Sequence, residues 1–364
     1  MNKILLLLAI SMIISCKGKT KNEIIVEVQQ VDTVVIEQLH MVFVGDVMTH
    51  MPQIYGAAVD TIANSYNFEE CFRYVAPHWR EADVVIANLE TTLDDKNYSG
   101  YPRFAAPYSL ADALKNSGVT HLMLANNHTC DKGREGIIRT TSHLEKIGVP
   151  YAGAYRDSAQ WREESPLFIK KGSFNVAVLN YTYGTNGLPV PKGQVVPLID
   201  TLAIKKDIEK AYANKATNII AFLHWGNEYQ RDEDESQREL SEWFNRNGVK
   251  IIIGSHPHVV QPIECDSTHL TVYSLGNFIS NQRDRYRNGG INIHLNLTKV
   301  EDNTTLSTSY KSYYVHKRSK SPRYFCVDSL AADSIITDRE EKNRAKIFFD
   351  DTRDHLSSNN KLNF

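Results

Sequence analysis

From His40 onward the chain sets short apolar runs, closed by turn residues, between longer stretches whose apolar positions recur with helical spacing. The runs at 41–44, 84–87, 121–124, 175–180, 219–223, 251–253 and 271–274 predict strands. Helices are predicted at 68–80, 110–117, 133–147, 202–214 and 235–247, with Asn67 and Ser109 placed as caps. This alternation, with a helix available to cover each strand, predicts a layered α/β fold and not a sandwich or a bundle. Beyond Asn281 the period changes. Residues 290–297 and 306–315 alternate apolar with polar, as half-buried antiparallel strands do, and are expected to extend a sheet. The last stretch, 317–364, is charged and weakly periodic, so a surface extension without chemistry is expected there.

The N-terminus follows another logic. Lys3 precedes an apolar run over residues 4–14, which ends at Ser15-Cys16-Lys17. A charged start and a short apolar stretch make an export signal, and the run falls short of the roughly 20 residues a bilayer span needs. The small residue followed by cysteine resembles the lipobox of bacterial lipoproteins. Residues 1–15 are therefore read as a lipoprotein signal, Cys16 as the lipid-bearing mature N-terminus, and the polar stretch to residue 38 as a tether. The expected location is outside the cytoplasm, on a bacterial membrane. What remains is one large domain over 39–316, long enough for a substantial core.

Composition adds exclusions. A formal net charge of −2 with no basic stripe argues against a nucleic-acid partner. Beyond Cys16, the cysteines Cys71, Cys130, Cys265 and Cys326 have no CxxC spacing and specify no disulfide framework. Cys130 is read as a packed small group.

The chemistry lies at the strand ends. Asp46 follows MVFVG, Glu90 follows VVIANL, Asn127 and His128 follow LMLAN, His224 follows IIAFL, and His256 and His258 follow IIIGS. Loops beyond the carboxyl ends of strands gather on one edge of an open α/β sheet, so these residues are expected to converge. Each alone has a plainer reading as a turn former or a satisfied polar group; together they read as a site. In His256-Pro257-His258 an extended backbone restricted by proline would aim both imidazoles to one side. Nitrogen and oxygen donors without thiolate suit one or two divalent ions, Mn, Zn or Fe. Two such ions sharing a carboxylate activate water for hydrolysis, most naturally of a phosphoester.

The segments FVGDVM, ANLETTL, LANNHTCDKGREG, HWGNEY, GSHPHVVQPIE and YSLGNF stand in the order and approximate spacing of the CapA (poly-γ-glutamate capsule synthesis) family, which this chain resembles over about 40–280. That family is similar to the calcineurin-like metallophosphoesterases. The resemblance implies a four-layer αββα fold, two packed sheets flanked by helices, with a dinuclear metal centre. It implies Asp46 as the first aspartate ligand, Glu90 in the place of the bridging acid, and Asn127 as the ligating asparagine. His224, His256 and His258 match the later histidine ligands, and His128 the non-ligand histidine that faces the phosphate. Asp131 is placed to orient His128 or to cap the helix before Gly133. One departure stands out: Met48 occupies the position of a usual histidine ligand, which weakens one metal position. His50 is nearby but out of register.

On the substrate side, the loop from Asn180 through Tyr181, Tyr183 and Asn186 suits stacking and hydrogen bonding with a sugar or peptide-like group, and Arg103 an anion. Asn277 is expected to support the metal ligands, Trp225 and Glu228 to brace His224, and the charged run 231–235 to be a solvated helix entry. Two functions follow: a lipid-anchored metallohydrolase acting on a phosphoester of a surface polymer or its precursor, or a non-hydrolytic accessory protein that uses its metal to bind an anionic polymer such as poly-γ-glutamate. Either has the membrane and capsule-synthesis membrane proteins as partners.

Overall fold

The computed structural model describes residues 4–5, 35–59, 65–301, 303–318, 324–359 and 361–362; Cys16 and nearly all of the expected signal and tether lie outside them. Two sheets are present. The first has nine strands, running in space Tyr324–Val327, Asn303–Lys317, Gly289–Val300, Val35–Val47, Val84–Leu89, His121–Met123, Tyr151–Ala152, with Asn277–Ile279 and Ile4–Leu5 paired onto Val35–Val47. The second has seven, with Ile251–Ser255, Asn218–His224 and Phe174–Thr182 in parallel at its centre.

Period-two alternation explains how the layers stack. On Val35–Val47, Leu39, Met41 and Phe43 point into the core between the sheets, where they meet Val178, Phe222 and Ile253. Val42 and Val44 point the other way, into a core shared with Phe72, Trp79, Leu110 and Ile137 of the covering helices. In the second sheet Ala221, Leu223 and Ile252 turn outward onto Ile204, Ile208 and Phe244, from the helices Thr201–Ala213 and Glu235–Arg246. The order is helix, sheet, sheet, helix: the expected four-layer αββα arrangement. The antiparallel pair predicted beyond Asn281 is Gly289–Val300 with Asn303–Lys317, and it widens the first sheet.

Four expectations change. The helix predicted at 68–80 is two short helices, Glu69–Phe72 and Ala76–Arg80, because Pro77 has no N–H to carry the ladder across 73–75. Asn67 does accept the Glu69 N–H (2.8 Å), but Ser109 is the first helical residue and caps nothing. The expected tether ends early: 35–38 belong to the first sheet, with Ile36 opposite Val300 and Gln38 opposite Thr298. The C-terminal stretch is no surface appendage. Tyr324–Val327 adds an edge strand, and Ala345 and Phe348 of the helix Arg339–Asn359 share a core with Tyr314, Phe325 and Val327.

Candidate metal centre

Five strands deliver their carboxyl ends to one edge, and the candidate ligands are buried there together. Asp46 and Glu90 sit at the ends of neighbouring parallel strands of the first sheet; His224 and His256 come from neighbouring strands of the second. Close backbone approach makes this possible. A Cβ at Gly45 would stand 2.2 Å from the Gly276 carbonyl oxygen, and one at Gly254 1.9 Å from that of Tyr273, so neither strand would seat with a side chain there. Asn180 ties the sheets together: its Oδ1 accepts the Leu124 and Ala125 N–H groups (3.1 and 2.9 Å), and its Nδ2 donates to the Phe222 carbonyl (3.0 Å).

The side chains form two groups that share Glu90. Asp46, Glu90 and His258 make one, and Glu90, His224 and His256 the other; within each, one donor atom per residue lies within 4.8 Å of the rest. Glu90 Oε1 is 3.7 Å from His224 Nε2 and 3.8 Å from His258 Nε2. His258 Nδ1 is 3.0 Å from Asp46 Oδ2, and His224 Nε2 is 3.0 Å from Asn127 Oδ1. Separations of about 3 Å are those of neighbouring donors around one ion with bonds of roughly 2.0–2.2 Å.

Unmet polar atoms carry the test of whether a divalent ion fits. Neither carboxylate oxygen of Glu90 has a hydrogen-bond partner among the described residues, although the residue is wholly buried, and His256 Nδ1 is equally without one. Burial, then the charge of Asp46, push Glu90 well above the usual carboxylate range. Burial and the neighbouring His258 push His256 down to about 3, and burial with His256 and His258 beside it holds His224 well below the ordinary imidazole value. Neutral imidazoles around a buried acid without a hydrogen-bond donor are the donor set that a divalent cation would take. The residues fit a divalent metal.

Around the donors stand residues the sequence did not single out. Asn88 Nδ2 donates to Asp46 Oδ1 (2.8 Å), Asn126 Nδ2 donates to Asn88 Oδ1 (3.3 Å), and Ser255 Oγ lies 3.1 Å from His224 Nδ1. The signal was there: Asn88 is a lone polar residue inside the apolar run VVIANL. His128 Nδ1 lies 2.7 Å from Asp131 Oδ2, which also accepts the Phe104 N–H (2.6 Å), and Phe104 packs edge-on against the imidazole. Asp131 therefore orients His128 and leaves the following helix uncapped; Lys132 occupies the cap position without a side-chain bond.

Other positions differ from expectation. The His256–His258 segment is not extended: both histidines have left-handed φ, 102° and 59°, so a tight turn aims the rings. Tyr181 is buried and donates to Asp207 (2.6 Å), away from the site. Tyr183 is half exposed and packs on the His256 ring at 4.5 Å, at the rim. Asn186 and Arg103 are exposed, Arg103 directly before Phe104. The Asn277 side chain donates to Gln282 and the Arg287 carbonyl, and only its backbone lies beside Asp46. Glu228 is exposed, and the Trp225 indole donates to the Tyr273 carbonyl, so neither braces the His224 ring. Within 231–235, Arg231 is half buried and Asp234 caps the helix. Met48 is buried; His50 belongs to neither donor group, packs on Phe104 and is pushed by burial down to about 4.

Two packed sheets between helices, with a carboxylate shared by two histidine-bearing donor groups at the strand ends, define a layered α/β protein with a candidate divalent-metal centre. Within that class, the match of residues 40–282 to the family model "Bacterial capsule synthesis protein PGA_cap" places the chain in that family. It is 31% identical over 257 residues to the capsule biosynthesis protein CapA of Bacillus anthracis, covering 68% of this chain and 61% of that one. It is 28% identical over 271 residues to the PGA biosynthesis protein CapA of Bacillus subtilis, covering 70% and 67%. The chain thus spans about three fifths to two thirds of the length of these relatives. The NAD nucleotidase of Haemophilus influenzae overlays with a TM-score of 0.46 at 12% identity, covering 88% of this chain and 61% of that one, too distant a likeness to inform function.

Proposed function

We propose that the protein is a metal-dependent hydrolase of a phosphoester in a cell-surface polymer or its precursor, working in capsule biosynthesis. The observation that carries this reading is Glu90, buried without a partner between two groups of histidine and carboxylate donors. Asp46, Glu90, Asn127, His224, His256 and His258 would hold one or two divalent ions, Mn, Zn or Fe. Bound there, the metal supplies Lewis-acid polarisation of a phosphoryl oxygen and a nucleophile at neutral pH. The chain supplies the rest. His128, with Nδ1 fixed by Asp131, is set to pass a proton from Nε2 to the leaving oxygen, and Phe104 keeps water from one side of its ring. Tyr183 offers a stacking face at the rim beside His256.

A second reading rests on Met48: with no imidazole there, the Asp46 group has one donor fewer, and a metal held mainly to bind an anionic polymer becomes an accessory function. Turnover decides between them. Purified protein loaded with Mn should cleave a chromogenic phosphodiester, and Asp46→Asn should abolish that cleavage. Equal rates in the two proteins would remove the hydrolase reading. The relatives' names support a place in capsule or poly-γ-glutamate biosynthesis, with capsule-synthesis membrane proteins as partners. We place the protein outside the cytoplasm, held by a lipid on Cys16; among the described residues no helix is long and apolar enough to cross a membrane. Loss of fatty-acid labelling and of membrane fractionation in Cys16→Ser checks that anchor.

A further inference from the structure

The helix Arg339–Asn359 lies outside the segment that matches the family, yet it holds both loops that rim the metal centre. Asp351 is the point of attachment. Its carboxylate takes two hydrogen bonds from Arg285, Nε to Oδ2 at 2.9 Å and Nη2 to Oδ1 at 2.8 Å, the bidentate geometry in which a guanidinium is most firmly oriented. Its backbone carbonyl accepts from Arg231 Nη2 (2.8 Å), and one turn later His355 Nε2 lies 2.8 Å from the Arg231 carbonyl. Arg231 and Arg285 belong to different loops, and both guanidinium groups lie over the Tyr286 ring, at 4.3 and 5.1 Å. The helix itself is anchored beyond this point by Leu356, fully buried in the core between the sheets.

Inward, the same loops end on the ligands. The Tyr229 N–H donates to the carbonyl of Pro257, the residue between His256 and His258 (2.8 Å). The Arg287 backbone carbonyl accepts from the side chain of Asn277, whose backbone pairs beside Asp46, and the Arg287 guanidinium covers the Tyr229 ring at 4.3 Å. Left-handed φ at two successive imidazoles is a costly conformation, one that persists where surrounding contacts over-determine it. We propose that Asp351 is a positioning residue for the metal centre: it clamps the loops 226–234 and 281–288 together and, through Tyr229 and Pro257, holds the turn that aims His256 and His258.

The proposal rests on the metal-binding part of the proposed function only in its second readout. Hydrogen exchange would be compared in wild type, Asp351→Ala, Arg285→Ala and Asp350→Ala, in peptides covering 227–234, 255–261 and 281–288. Asp350 pairs with Lys346 and Arg353 of its own helix and serves as the control. Asp351→Ala removes the Arg285 pair and keeps the backbone carbonyl on Arg231, so it should raise exchange several-fold in 281–288 and, through Arg287 on Tyr229, in 255–261, and weaken Mn binding about tenfold, the scale of losing a residue that orients ligands. Arg285→Ala, a change at an exposed side chain that leaves the helix intact, should do the same, and the double variant should add little. Unchanged exchange at 255–261 relative to Asp350→Ala overturns the proposal, even with both loops loosened. Should wild type bind no Mn, the metal reading falls, while exchange at 255–261 still decides this one.

Discussion

At the scale of residues, Glu90 is the most informative side chain. A carboxylate without a hydrogen bond in a dry site costs stability that a cation returns. Glu90→Gln should therefore lose bound metal while making the metal-free protein more stable, by about 1–3 kcal/mol, the order of one relieved buried polar group; urea unfolding in chelator reads this. A drop in metal-free stability would mean that the charge is compensated. His128→Asn should keep metal content and lower turnover by about 100-fold or more if proton transfer to the leaving oxygen is its work. Most of the candidate donor set stood out because its members directly follow apolar runs. Asn88 and Ser255 were not, since a polar residue within or ending such a run looks like any satisfied core group. Tyr181 was misassigned for a related reason. The strand Phe174–Thr182 runs two residues past its apolar stretch, and alternation turns Tyr181 toward Asp207.

At the scale of elements, the carboxyl ends of parallel strands set the site, and small residues let the strands close on it. Gly254→Ala should destabilise by about 2 kcal/mol or more through overpacking against Tyr273 and Trp225, as a lowered urea midpoint shows. The C-terminal helix has its own electrostatic signature. Although burial pushes the Glu341 carboxyl up, the hydrogen bond from His316 and the charge of Arg283 (2.7 Å) hold it down at about 2. A carboxyl lower in the folded chain than in the unfolded one stabilises above the unfolded value of 4.5. That contribution fades as pH falls toward about 2. Glu341→Gln should thus be less stable than wild type at pH 6 and approach it near pH 2.5. Parallel falls in both proteins would show the pair to be inert. Elements with a clear period, such as Gly133–Ile147, were readable to the residue, whereas the break at Pro77 and the docking of Arg339–Asn359 depend on tertiary partners that a weak local pattern does not disclose.

At the scale of the whole molecule, the two sheets contribute different donors to one centre. Asp46, Glu90 and Asn127 come from strand ends of the first sheet, as does the non-ligand His128, and His224, His256 and His258 come from those of the second. A metal bound there would join the sheets across their edge and would stabilise the fold by mass action. A layered α/β fold was legible from alternation, whereas the packing of two sheets face to face came only from the family resemblance. The contribution of the C-terminal helix was not, because its anchors are single arginine and carboxylate pairs far apart in sequence. The most direct test of the central claim is the number of metal ions per chain, measured by elemental mass spectrometry on protein purified without chelator, beside a His256→Ala, His258→Ala double variant. One or two ions in wild type, lost in the variant, is the predicted result. No ion even after addition of Mn, Zn or Fe, or the same content in both proteins, would contradict it.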